Sequence, residues 1–134
     1  MTIHSFRDLE VWRKAMDLTE QTYRLVAQFP TDERYGLSLQ LRRGTVSIPS
    51  NIAEGQGFGT NRRYVYHLRV ARGSEHEIQT QLELAQLLKF ATAKQVAPLM
   101  DSASQIGRML NGLIGSLRVG EPDNDDWESM RRYR

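Results

Sequence analysis

The chain contains no cysteine, so disulfides, zinc–thiolate sites and thiol nucleophiles are all excluded. It has only three histidines, His4, His67 and His76, no two of which share an i, i+4 helical face. Glu-x-x-His pairs are missing too, although a bundle-type di-metal centre needs them on two helices to bring carboxylates and imidazoles together. Metal catalysis and a bound cofactor are therefore not expected. No run approaches the roughly 18 apolar residues of a membrane span, and the amino-terminal MTIHSFRDLE lacks the apolar stretch of a secretory signal. A cytoplasmic location and no membrane partner are expected. Strand-length alternation of Val, Ile and Thr is absent, which leaves helices as the only regular structure in prospect.

What is present fits one domain of 134 residues, long enough to bury a core unaided. Lysine is scarce, 3 against 15 arginines, and the net charge of +2 is uneven. Residues 121–134 hold five acids and three arginines, which leaves +4 on residues 1–120. Between Arg34 and Gly73 seven arginines face Glu54 alone. Gly120, Pro122 and dense charge divide a bundle domain at 1–118 from an expected mobile tail at 119–134.

Apolar spacing predicts four helices. The first starts near Ser5 to Asp8, with Asp8 as N-cap, and runs to Phe29 with Leu9, Trp12, Met16, Tyr23 and Val26 as its seam. The second begins at Thr31 to Asp32 and continues through Pro49 to Glu54, where GQGFGT breaks it. That loop lacks a phosphate-binding lysine and follows a helix, so it reads as a turn. The third runs from Thr60 or Asn61 to about Phe90, its seam of Leu68, Ala71, Ile78, Leu82 and Ala85 interrupted by Glu75. The fourth follows the capping-box pattern TAKQ, with Pro98 in its first turn, and carries Val96, Leu99, Ala103, Ile106, Leu110, Leu113 and Leu117. Short connections make neighbours antiparallel, giving an all-α, up-and-down four-helix bundle.

Pro49 sits inside the second helix, where it removes an amide donor and crowds the carbonyl of Thr45 at a usual cost of about 3 kcal/mol. Packing has to offset that. On the same helix Arg43, Ser47, Asn51 and Glu54 form a polar ridge beside the apolar one. Ser74, Glu77 and Gln81 form a matching ridge on the third helix, and a charge-assisted Arg43–Glu77 pair is expected between them. Such a network suits the setting of register or subunit orientation rather than catalysis.

Arg62, Tyr66 and Arg69 recur on one face of the third helix, with Arg63, Arg72 and Phe58 nearby. Cations interleaved with aromatic rings suit nucleic acid, because guanidinium forks pair with phosphate and rings stack on unpaired bases. A solvated arginine face, or arginines meeting the acids of a neighbouring subunit, is the competing interpretation.

Four segments, FRDLEVWRKA, YGLSLQLRRGTVSIPSNIAEG, ARGSEHEIQTQL and the Leu-rich last helix, resemble the small four-helix-bundle proteins encoded in intervening sequences of bacterial 23S ribosomal RNA genes. The resemblance spans about residues 6–117 and implies a bundle that assembles into a homo-oligomeric ring, commonly a pentamer. It brings no established enzymatic activity. Relatives of that family include accessory proteins of diversity-generating retroelements, which bind nucleic acid and a reverse transcriptase. Gly44 departs from the pattern, where alanine is more usual, and would loosen the helix locally. Two functions are compatible with all this: a non-enzymatic oligomer that contacts RNA or DNA backbone, or a scaffold for a partner protein such as a polymerase or reverse transcriptase.

Overall fold

The computed structural model describes residues 3–117, so the expected tail at 119–134 lies outside the described residues. Four helices follow one another: α1 Glu10–Val26, α2 Leu37–Gly57, α3 Asn61–Leu87 and α4 Ala93–Ser116. Each packs on the next, α4 closes back on α1, and the backbones of the diagonal pairs stay apart. This is the up-and-down arrangement that the short connections require. Among the described residues there is no strand, and no helix is long and apolar enough to cross a membrane.

Helix ends follow local chemistry. Thr60 caps α3 by accepting from the Arg63 amide, and Thr92 caps α4 in a capping box with Gln95, as their side chains suggest. At the start of the chain Ser5, not Asp8, is the N-cap: it opens a 3-10 turn, Phe6–Asp8, in which Asp8 returns the capping bond. The first α-helix begins only at Glu10 and ends at Val26, short of Phe29. Thr31 and Asp32 likewise form a 3-10 turn, and α2 starts at Leu37, whose amide donates to the Glu33 carboxylate at 2.9 Å. The helix runs on to Gly57, past the expected end at Glu54, and Gly59 with φ +78° turns the chain into α3. α3 stops at Leu87 rather than Phe90.

Of the seam expected on α1, Val26 is buried and Leu9 and Trp12 pack against the core, but the middle of the helix turns a different stripe inward. Val11, Ala15, Leu18, Thr22 and Leu25 are buried, whereas Met16 and Tyr23 remain 45% and 43% exposed. Small Ala15 and Thr22 let α1 approach its neighbours closely, so the stripe with the larger side chains is the one displaced outward. On α3 Glu75 does not interrupt the seam at the surface. It is 1% exposed, accepts from Gln79 Nε2, and its carboxylate fills the space where a Cβ at Gly107 would stand 2.7 Å away.

Thr19 explains how α2 tolerates Pro49. Pro49 has no amide, so the Thr45 carbonyl one turn earlier loses its helical donor. The Thr19 hydroxyl of α1 lies 3.1 Å from that oxygen and 2.8 Å from the Ala15 carbonyl, and its one proton, shared between the two, partly replaces the missing bond. Pro98 needs no such partner: it falls in the second turn of α4, not the first, and the carbonyl it bypasses belongs to exposed Lys94. Thr19→Val should therefore cost about 1 to 3 kcal/mol, the usual penalty for stranding a buried acceptor. Thr19→Ser should recover most of it, as measured by denaturant midpoints at fixed protein concentration.

Candidate nucleic-acid interface and polar network

The α2–α3 seam carries a continuous hydrogen-bonded rail. Ser74 and Ser47 hydroxyls lie 2.9 Å apart, and Asn51 Nδ2 donates to the Ser47 carbonyl at 2.8 Å and to its hydroxyl at 3.1 Å. That leaves Asn51 Oδ1 to accept from His67 Nδ1 at 3.0 Å, which assigns the ring proton to Nδ1. His67 is buried, with Phe58 stacked on it at 5.1 Å and the Tyr66 ring edge-on at 5.2 Å. Ser47, Asn51 and Ser74 thus meet as expected. His67, which sequence reasoning considered only as a metal ligand, completes the rail.

The Arg43–Glu77 pair does not form. Both side chains are exposed, and no ion pair joins them although they line one depression of about 430 Å³ with Tyr35, Gln40, Ser47 and Ser74. The rail already satisfies the serines and Asn51, so nothing buried draws the two long side chains together. Gln81 reaches Gln40 at 3.4 Å, its own Oε1 buried without a donor among the described residues, and Glu54 is exposed outside the network. Gly44 belongs to this seam: a Cβ there would lie 2.8 Å from Ile78 Cδ1, so the glycine lets the Ile78 side chain fill the space an alanine would occupy.

Of the expected basic cluster, Tyr66 has to be withdrawn as a stacking residue. It is 3% exposed, because the four successive residues Val65–Leu68 are all buried and the start of α3 is therefore covered on more than one side. Next to it, burial raises the Tyr64 phenol above its ordinary pKa. Its neutral form is favoured in the fold, and stability from this group fades only above the ordinary tyrosine range. Arg62 is exposed, and Arg63 is half-buried with its guanidinium 5.2 Å from the Phe58 ring centroid. Arg69 is half-buried, and Arg72 donates to Asn111 of α4 at 2.8 Å.

These arginines share one half of the bundle, built from the first halves of α1 and α3 and the last halves of α2 and α4. Lys14–Gln105, Asn61–Leu117 and Arg72–Asn111 bonds fix that alignment. Among the described residues this half carries Arg7, Arg13, Lys14, Arg62, Arg63, Arg69, Arg72 and Arg108 against Asp8, Glu10, Asp17 and Glu54. The opposite half has six cations and seven acids. Neither half brings together three or more His, Asp or Glu side chains placed to hold a metal ion, among the described residues.

Comparison with known proteins adds to this geometry. The sequence model of a family described as 23S rRNA-intervening sequence protein matches residues 7–112. A crystal structure of a protein with unknown function from the S23 ribosomal protein family, from Bacteroides thetaiotaomicron, superposes with a TM-score of 0.70 at 20% identity. The match covers 78% of this chain and 97% of that one. The curated proteins contain no match.

Proposed function

The chain belongs to the 23S rRNA-intervening sequence protein family, and within it we propose that the protein is a non-enzymatic homo-oligomer that holds RNA or DNA by the phosphate backbone. One observation carries this reading: among the described residues one end of the bundle holds eight cations against four acids, while the other end is slightly acidic. A field of one sign over a compact surface attracts a polyanion without choosing its sequence.

Self-association is supported by the face of α1 that the core does not use. Met16 and Tyr23 line one shallow groove with Thr19, and exposed Val46 follows Thr45, the residue Thr19 touches. A closed ring, a pentamer in the pattern the sequence resembles, would cover these side chains and repeat the basic end around its axis. Repetition multiplies phosphate contacts without new residues. Tyr23→Asp is expected to give a monomer by light scattering at micromolar concentration. The monomer should bind a labelled RNA at least tenfold more weakly than the parent, with Arg62 and Arg63 intact. A parent protein that is already monomeric removes the oligomer from the account.

A partner protein is favoured by a different surface, the end of α3 where Leu87 and Leu88 are 77% and 54% exposed. Charge substitutions there should leave nucleic-acid affinity unchanged and abolish capture of such a partner.

A further inference from the structure

We propose that the depression between α2 and α3 is a pocket for one unpaired guanine-type base of a single-stranded nucleic acid, with Tyr35 as its stacking platform; this rests on the nucleic-acid reading above. Tyr35 is 79% exposed, and the Arg34 guanidinium lies 5.0 Å from its ring centroid. A large aromatic ring left in water with a cation on one face presents the other face to a flat partner, and the cation strengthens a stack. With Tyr66 buried, Tyr35 is an exposed ring beside Arg34 and Arg43, in the half of the bundle opposite the basic end.

The groups beside it decide the kind of ligand. Arg43 and Glu77 line the same depression without an ion pair between them, with Gln40, Ser47 and Ser74 completing the wall. A phosphate there would meet the Glu77 carboxylate, and a cation would meet Arg43. A neutral heterocycle with acceptors on one edge and donors on the next satisfies both. Guanine offers O6 and N7 to an arginine fork and its N1–H and amino group to a carboxylate. The Ser74–Ser47–Asn51–His67 rail holds the floor rigid, so little ordering is needed when a base enters. Gly44 lines the pocket, and the Ile78 side chain stands where its Cβ would be. A second groove of about 720 Å³ shares Gln40 and Glu77 and gives room for the adjoining nucleotide.

The test compares labelled 12-nucleotide uridine strands carrying one central guanosine or one central adenosine, by fluorescence anisotropy at low salt. The intact protein should prefer the guanosine strand by about tenfold, within the range of one good bidentate base contact. Glu77→Gln should erase the preference. Tyr35→Ala should weaken both single strands while leaving a duplex of the same length unaffected. Both side chains are exposed, so circular dichroism should show unchanged helix content. Equal affinity of the intact protein for the two strands overturns the base pocket and leaves backbone binding standing. Absence of binding to any strand overturns both.

Discussion

Gly55→Val should destabilise the protein by about 3 kcal/mol or more, the upper end of what forcing extra methyl groups into a packed seam costs. A Cβ at Gly55 would lie 2.7 Å from His67 Cβ, 3.1 Å from Tyr64 Cδ1 and 3.3 Å from the Tyr64 carbonyl oxygen. The first and last of these belong to the α3 backbone or are fixed to it, so no rotamer change relieves them. The helices would have to separate, and the 3.0 Å bond from His67 to Asn51 would be strained with them. Gly57, two residues on, meets nothing within 4 Å, and Gly57→Ala should be neutral or stabilising by up to about 1 kcal/mol. Urea midpoints of the two variants at one protein concentration check the contrast.

The second large effect is on binding. Arg62→Ala with Arg63→Ala removes two cations from the basic end of each subunit, and the log–log salt slope should flatten by about one unit per lost contact, multiplied by the subunits engaged. Arg69 and Arg72 are poorer targets, because an Arg69 guanidinium nitrogen is buried and Arg72 is bonded to Asn111. Stability of the double variant should change little. Arg62 is exposed, and the Arg63 contact with Phe58 is a partly exposed one worth at most about 1 kcal/mol. Unchanged affinity in the folded variant would move the site elsewhere. The candidates Arg131, Arg132 and Arg134 lie outside the described residues.

The fold was largely legible in the sequence, because Thr60, Thr92 and Gln95 announce helix starts and α4 repeats its apolar residues cleanly. On α1 two stripes compete, and spacing alone favours the one with Trp12, Met16 and Tyr23. Only the close approach of neighbouring helices explains why the stripe with Ala15 and Thr22 turns inward. The polar ridge was half legible. Hydroxyls and a short amide at helical spacing find one another, as Ser47, Asn51 and Ser74 do, whereas the longer Arg43 and Glu77 side chains are not constrained by spacing. The place of His67 in the rail is not visible from spacing because its partner, Asn51, stands sixteen residues earlier on the neighbouring helix. Tyr66 misled for a related reason: a one-face pattern cannot show that Val65–Leu68 are all buried.

The most direct measurement is the affinity of the intact protein for two RNAs of unrelated sequence as salt rises. Two phosphate contacts per subunit across three or more subunits involve six or more phosphates. Affinity should then fall by about 10³ or more between about 50 and 200 mM salt, in parallel for both RNAs. A protein that binds neither RNA at the lowest salt, where electrostatic association is strongest, or one whose affinity does not change with salt, contradicts the account.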